Sequence, residues 1–206
     1  EFRRVLFRSP VNWSLGVVDR PASVIRDQLA SRRRIYLLIV NTPQECVIGG
    51  ARAEIERLVA DLGCQWFPLD GVTTVHCEVA QPVASAYREL HLFPTEPRSG
   101  VRFYSGAWGR AFDVNRDSAA DSILAQALGG IDFPRVIEAA YRDGARLFIE
   151  MGPGASCSRM IGRILEGRPH LARSLCVPRG STVANLLRVL AQLIAEGVPV
   201  NLEMLY

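Results

Sequence analysis

Six short segments near the start of the chain alternate between strand-like and helix-like spacing of apolar residues, and their order constrains the fold most. Four are short apolar runs bounded by turn residues, as strands are. They lie at 13–19, 35–40, 46–48 and 64–67. Two others place apolar residues along one helical face, at 21–30 and 51–62. The order strand, helix, strand, strand, helix, strand predicts a ferredoxin-like subdomain (βαββαβ), with a turn at 41–43.

The remainder of the chain also alternates strands with helices, which predicts a parallel α/β layer. Strands are predicted at 101–105, 146–151 and 173–177. Helices are predicted at 77–90, 119–128, 133–142, 156–165 and 182–196. The chain is therefore expected to be of the α/β class, with a small subdomain followed by a second layer.

Composition excludes several classes of function. Of the 206 residues, 49% are apolar and 22% charged, which is ordinary for a globular protein. The net charge of +3 includes +2 from residues 1–9, and 32–34 is the only basic run, so no nucleic-acid partner is expected. No apolar run is long enough to span a bilayer. The five cysteines are scattered, without a C-x-x-C pair, which favours reduced thiols in the cytoplasm and no metal site.

His76 is the best candidate for a general base. It lies in GVTTVHCEVAQPV, between a predicted strand and a predicted helix. A histidine is suited to accept a proton from a serine and return it to a leaving thiol. Cys77 is not a plausible partner, because adjacent residues of an extended chain point to opposite faces. No G-x-S-x-G nucleophile motif occurs in the chain, and a structural role for His76 stays open. The other histidines, His91 and His170, are expected at the surface.

Three other places have two interpretations each. The Gly152-Pro153-Gly154 turn after RLFIEM could present backbone N–H groups to an anion, but Pro153 removes a donor. A tight turn that allows close packing of helix and strand is the favoured interpretation. Asn41 either lends an amide to a cleft or belongs to a simple turn. Asp132 precedes a predicted helix and could be only its N-cap.

Four blocks occur in an order that is informative in combination. They are NTPQECVIGG (41–50), TTVHCEVAQPV (73–83), VRFYSGAWG (101–109) and RLFIEMGPGAS (146–156). Together they resemble the acyltransferase family, which includes malonyl-CoA:acyl-carrier-protein transacylases and the acyltransferase domains of polyketide and polyunsaturated fatty acid synthases. The HCEVAQPV and MGPGASCSRMI stretches look most like the polyunsaturated fatty acid synthase type. The resemblance covers 10–206.

The resemblance implies a particular fold and domain organisation. The ferredoxin-like small subdomain would occupy 10–75, and 76–196 would be the C-terminal part of an α/β-hydrolase-like acyltransferase core, truncated at its N-terminus. The segment 197–206 resembles the linker that follows such a domain. Residues 1–9 match the translation of a sequencing-adapter oligonucleotide and are interpreted as an artefact. A genuine basic N-terminal arm is the alternative.

The resemblance also implies a reaction. A serine outside this chain would attack an acyl-CoA, and the phosphopantetheine thiol of an acyl carrier protein would take the acyl group from the serine ester. The acyl group is expected to be malonyl, no cofactor is expected, and neighbouring synthase domains would be partners in cis. Without its serine, the chain alone is predicted to be inactive.

The family's site residues map onto a few positions of this chain. His76 corresponds to the general base, and Asp132 to a residue whose backbone carbonyl orients that histidine. Asn41 falls in a block that lines the cleft. Thr74 and Val75 belong to the tetrapeptide TTVH, which in the polyketide branch tracks extender choice and here matches neither usual version. Two glycines, Gly152 and Gly154, match a structural turn close to the site.

Two functions of other kinds are alternatives to this one. The ferredoxin-like part could be a non-catalytic interaction module within a synthase, with His76 structural. A stand-alone hydrolase using Ser156 or Cys157 is disfavoured, because a nucleophile elbow needs glycines on both sides of a strained turn.

Overall fold

The computed structural model describes residues 12–69, 75–177 and 182–205. The chain divides into two compact units, with the boundary between Ala140 and Tyr141. No helix among the described residues is long and apolar enough to cross a membrane.

The described residues of the first unit form seven strands and most of the helices described in the chain. Its strands are β1 (Trp13–Val18), β2 (Ile35–Thr42), β3 (Glu45–Ala51), β4 (Trp66–Pro68), β5 (Phe103–Ser105), β6 (Arg110–Phe112) and β7 (Ile131–Asp132). Its helices are α1 (Ala22–Leu29), α2 (Arg52–Leu62), a 3-10 helix (Glu78–Val83), α3 (Ala84–Glu89), α4 (Arg116–Leu128) and α5 (Phe133–Arg142), which crosses the boundary.

The ferredoxin-like subdomain is confirmed by the order and direction of its strands. Four strands lie in the order β4-β1-β3-β2, and each neighbouring pair is antiparallel. This is the arrangement that two interleaved βαβ units produce. The sequence did not predict β7, which adds a fifth strand parallel to β2, with Val40 opposite Asp132. It also did not predict the hairpin of β5 and β6.

The core of this unit lies between the sheet and helices α1 and α2. Alternate residues of the strands face the helices, since strand side chains point to opposite faces in turn. The buried residues of this core are Val18, Ile25, Ile35, Val40, Cys46, Ile48, Ile55 and Leu58. Full burial of one such side chain stabilises the fold by roughly 1.5–3 kcal/mol. Helix α2 ends where predicted, at Gly63, which takes a left-handed conformation.

Two local expectations need correction. The turn predicted at 41–43 lies at 43–44, because Thr42 still pairs with Glu45 and its hydroxyl accepts a hydrogen bond from Gln44 N at 3.3 Å. The single helix predicted at 77–90 is a 3-10 helix followed by the short α3. Pro82 lies inside the 3-10 segment, where its missing N–H and its ring disfavour a regular α-helix.

The second unit is a small parallel α/β layer. Its elements are β8 (Leu147–Pro153), α6 (Ser156–Ile164), β9 (Leu171–Cys176), α7 (Thr182–Ala195) and a 3-10 helix (Glu203–Leu205). Strands β8 and β9 pair in parallel, which confirms the layer predicted from alternating strands and helices. Among the described residues of this unit, the sheet has only these two strands.

The turn predicted at Gly152-Pro153-Gly154 starts later than expected, because β8 continues through Pro153 and only Gly154 belongs to the link to α6. Close packing of helix and strand is also not the reason for the glycines. A side chain at either Gly152 or Gly154 would meet no atom within 4 Å, so close packing does not require glycine at these positions. Gly154 instead has a φ of +93°, a backbone conformation that other residues adopt only with strain. The backbone angle therefore explains the glycine at 154. Neither close packing nor a positive φ explains the glycine at 152.

Candidate active site

His76 is held in an unusual backbone conformation. Its φ is +65°, in the left-handed region, which costs a residue with a side chain roughly 1–2 kcal/mol. Two contacts hold it there. The His76 N–H donates to Ala127 O at 3.0 Å. The next residue, Cys77, is buried against Leu15, Leu38 and Val47, on the sheet face opposite the helices. The strain is thus maintained by surrounding structure, as it often is at functional sites.

The His76 ring is oriented by a backbone carbonyl. Its Nδ1 lies 2.5 Å from the carbonyl oxygen of Gln126, in the last turn of α4. A carbonyl only accepts, so Nδ1 carries the hydrogen of the neutral ring and Nε2 carries the lone pair. The last carbonyls of a helix have no partner within the helix. Two of them, on Gln126 and Ala127, are therefore available to fix both the ring and the backbone of His76.

The orienting carbonyl does not belong to Asp132. Asp132 lies in β7, where its carboxylate accepts a hydrogen bond from Arg135 N at 3.1 Å, as an N-cap does at the start of α5. Sequence reasoning does not single out Gln126, because a main-chain carbonyl leaves no trace in residue type. Gln126 therefore sets the tautomer of His76, and Asp132 caps α5.

The predicted substrate-binding residues are only partly described. Asn41 lies in β2, and its Nδ2 donates to Glu45 Oε1 at 3.0 Å across the hairpin. Val75 is half-buried directly before His76, whereas Thr74 lies outside the described residues. A role of these three residues in binding or orienting a substrate stays a prediction.

His91 and His170 differ from His76 in how far along the sequence their hydrogen-bond partners lie. Each is half-buried rather than exposed. The Nδ1 of His91 contacts Tyr87 O at 2.7 Å, and that of His170 contacts Arg168 O at 2.8 Å. Both partners are near neighbours in sequence, so these contacts stabilise local segments. The His76 ring instead joins two segments that are far apart in the chain.

Two hydrogen bonds of Gly154, one at its N–H and one at its carbonyl, hold the end of β8 in the second unit. Gly154 N donates to Cys176 O at 2.7 Å, and the Ser174 hydroxyl donates to Gly154 O. These bonds link the end of β8 to the end of β9. They give Gly154 a structural role, whereas closeness of Gly152 and Gly154 to a catalytic site stays a prediction.

The start of α6 is capped by an acidic side chain from β8. The Glu150 carboxylate accepts hydrogen bonds from Cys157 N at 3.2 Å and from Ser158 N and Oγ, each at 2.8 Å. Burial raises the pKa of Glu150, but the hydrogen bonds from Ser158 and Cys157 outweigh it, and the pKa lies below the usual value. A negative charge at a helix N-terminus is favourable, so Glu150 is charged and structural.

The thiols of Cys46, Cys77 and Cys157 are not activated. Burial raises the pKa of Cys157, and the nearby Glu150 charge raises it further. Burial also raises the pKa of Cys77, and that of Cys46 to about 11. A nucleophilic cysteine requires a lowered pKa. These environments count against the hydrolase in which Cys157 attacks. All five cysteines are free, and the described residues contain no cluster of side chains that could hold a metal ion.

Comparison with known proteins identifies the class of fold. No family model matches the chain. It is 22% identical over 200 residues to one component chain of the polyunsaturated fatty acid synthase of Thraustochytrium sp., a match covering 91% of this chain. It is 25% identical over 222 residues to a mycocerosic acid synthase-like polyketide synthase of Mycolicibacterium smegmatis, covering 98% of this chain. Each match spans 10% of the synthase chain.

Solved structures of acyltransferases also match the chain. The acyltransferase domain from the second module of the salinomycin polyketide synthase matches 97% of this chain and 48% of its own, with a TM-score of 0.82 and 21% identity. The malonyl-CoA:acyl carrier protein transacylase of Xanthomonas oryzae matches 93% of this chain and 60% of its own, with a TM-score of 0.77 and 20% identity.

The chain therefore has the fold of acyltransferase domains, and the resemblance inferred from its four sequence blocks is confirmed. It is an α/β chain with a ferredoxin-like subdomain and part of the acyltransferase core. Its relatives in sequence are a polyunsaturated fatty acid synthase and polyketide synthases, and it spans about half the length of the matched salinomycin domain.

Proposed function

We propose that this chain is part of the acyltransferase domain of a fatty acid or polyketide-type synthase. The domain would move an acyl group, here malonyl, from coenzyme A through a serine ester to the phosphopantetheine thiol of an acyl carrier protein. The single observation that carries the proposal is the hydrogen bond from His76 Nδ1 to the Gln126 carbonyl, which leaves the lone pair of the ring on Nε2. The fold of the matched acyltransferase domains supports the same assignment.

In this reaction His76 would act twice. Nε2 takes the proton of the serine hydroxyl as the serine oxygen attacks the thioester, and it then gives that proton to the departing thiolate of coenzyme A. In the second half, Nε2 takes the proton of the phosphopantetheine thiol, and the resulting thiolate attacks the serine ester. The proton returns to the serine oxygen as that bond breaks. Each time, the cation formed on the ring faces the carbonyls at the end of α4, an arrangement that favours positive charge.

The domain organisation remains part of the proposal. We place the ferredoxin-like subdomain at 10–75, the partial core at 76–196 and a linker at 197–206. The serine would lie in the part of the domain that this chain does not contain. The chemistry requires no cofactor, and the partners would be acyl-CoA, the carrier protein and neighbouring domains of a cytoplasmic synthase.

A hybrid enzyme tests the role of His76. This chain would replace the matched segment of the Xanthomonas oryzae transacylase, and malonyl transfer to a carrier protein would be measured. We expect His76→Ala to lower kcat/KM by about 10²–10⁴-fold, the usual contribution of a general base. His91→Ala is the matched control, because its ring also contacts a carbonyl through Nδ1. It should leave the rate within a few-fold.

Two results would overturn the proposal. One is a His76→Ala hybrid as active as the unaltered hybrid. The other is an inactive hybrid in an assay where the control is active. That control is the transacylase cut at the same positions and rejoined to its own segment. That second result would favour the non-catalytic interaction module. No feature of the described residues specifically supports that alternative.

A further inference from the structure

The position of the Gln126 carbonyl decides the orientation of His76, yet Gln126 lies in the last turn of a helix, where ends commonly fray. One turn earlier on the same face of α4 is Ser122, four residues before Gln126. Whatever holds Ser122 in place therefore restrains the turn that carries Gln126.

Ser122 forms a buried hydrogen bond to the strand β5. Its Oγ donates to Ser105 Oγ at 2.7 Å, and the same oxygen of Ser105 accepts from Trp108 N at 3.3 Å. The two serines are only 5% and 1% exposed. A buried hydroxyl costs free energy unless it is hydrogen-bonded, and alanine would avoid that cost. A paired hydroxyl in such a place fixes a geometry that alanine packing alone would not.

Gly106, the residue after Ser105, lies close to the side chain of Gln126. A side-chain carbon at this position would lie 3.2 Å from Gln126 Oε1 and 3.4 Å from its Cδ, so the glycine leaves room for the Gln126 side chain. The Gly106 carbonyl accepts a hydrogen bond from Asp132 N at 3.4 Å. The end of β5 thus restrains the chain both before Gln126, through Ser122, and after it, through Asp132.

We propose that Ser105, Gly106 and Ser122 are positioning residues for the general base. They hold the Gln126 carbonyl within hydrogen-bond distance of His76 Nδ1 and thereby keep the hydrogen on Nδ1 and the lone pair on Nε2. The importance of this for catalysis rests on the proposed acyltransferase function, but the positioning itself is a property of this chain and is measurable without any acyl transfer.

The experiment is nitrogen NMR of the histidine rings in the 206-residue chain, uniformly labelled with ¹⁵N, in alkaline buffer where the rings are neutral. The two neutral tautomers give distinct patterns of ring nitrogen shifts and couplings. In the unaltered chain we expect His76 as the Nδ1–H tautomer. In Ser122→Ala and Gly106→Ala we expect it as a mixture of both tautomers, whereas His91 and His170, with local carbonyl partners, stay unchanged.

Two controls separate positioning from a general loss of stability. Ile55→Val removes one methyl group from the core between the sheet and helices α1 and α2, on the sheet face away from Cys77. Ile55 is 1% exposed, so the variant should destabilise the unit without changing the His76 tautomer. Ser122→Thr keeps the hydroxyl and should keep the Nδ1–H tautomer. The double variant Ser105→Ala with Ser122→Ala leaves no unpaired hydroxyl and so should fold, yet still give the mixture.

The proposal is overturned if Ser122→Ala and the double variant give the same His76 spectrum as Ile55→Val. In the hybrid enzyme, a positioning role predicts that Ser122→Ala lowers kcat by about tenfold with little change in KM, because the ground-state complex does not need the ring orientation. Failure of the acyltransferase proposal would instead remove activity from every hybrid while leaving the NMR result intact.

Discussion

The strands of the two units are buried to very different extents. In the first, the ferredoxin-like sheet has a continuous core against α1 and α2, and Ile25, Ile48 and Leu58 are almost completely inaccessible to solvent. In the second, two parallel strands are largely half-buried or exposed along their length, and Met151 is 75% exposed. Parallel sheets are usually covered on both faces. Local pattern therefore produced the same kinds of element in both units, but among the described residues β8 and β9 are buried less completely than β1, β2 and β3.

This contrast explains where a precise site has been built. His76 is anchored through Cys77 to the sheet of the first unit and through Gln126 and Ala127 to α4, which belongs to the same unit. A base must hold its geometry within a fraction of an ångström, which requires neighbours whose own positions are fixed by burial. The described residues of the first unit supply these neighbours.

The largest test of the contrast is a matched pair of leucine truncations. Leu58→Ala, at a fully buried position, should lower the free energy of unfolding of the first unit by about 2–5 kcal/mol. Leu187→Ala, at a position 46% exposed in α7, should change the second unit by less than about 1 kcal/mol. All three tryptophans lie in the first unit, so their fluorescence follows its unfolding by urea, and amide exchange follows the second. Equal losses at the two positions would show that the second unit is as well packed as the first.

A smaller effect is expected from the two glycines of the turn. Gly154→Ala should cost about 1–2 kcal/mol, because its φ of +93° strains any side chain. Gly152→Ala should be neutral or slightly stabilising, since no positive φ and no neighbouring atom opposes a methyl group there. The measurement is urea unfolding of the second unit, followed by its amide NMR signals. If both variants lose the same stability, packing rather than backbone angle explains these glycines.

The smallest effect depends on pH. The folded-state pKa of Glu150 lies below its unfolded value, so its contribution to stability is present above the unfolded pKa and is lost as the pH falls through the folded one. Glu150→Gln should therefore destabilise the second unit by about 0.3–1 kcal/mol at neutral pH. The variant and the unaltered chain should converge in acid. A constant difference at every pH would show that the charge of Glu150 contributes nothing, and the tryptophan signal of the first unit serves as the internal control.

Much of the fold is predictable because periodicity and turn residues are local. The six elements of the subdomain occur in the predicted order, and Gly63 ends α2 where expected. The two missed strands that matter, β6 and β7, are three and two residues long, too short to show any alternation. The pairing of β7 with β2 joins distant parts of the chain, which no window of sequence reveals.

The site is predictable only where it depends on side-chain identity. His76 stands out because histidine is a rare residue with distinctive chemistry, and it lies within a recognisable block. Gln126 does not, because its main chain, rather than its side chain, contacts the ring. Ser105 and Ser122 escape notice for a related reason, since serines are common and only their burial distinguishes this pair.

The order in which the ribosome produces the chain gives the His76 contact a further consequence. The four antiparallel strands and both covering helices are complete by Pro68, and Cys77 follows soon after, so the sheet and its histidine anchor are able to fold as they emerge. Gln126 is made much later. Between these two positions we expect the nascent chain to carry a folded subdomain whose histidine ring still lacks its contact with Gln126. The base would then be oriented only when the last turn of α4 has left the exit tunnel.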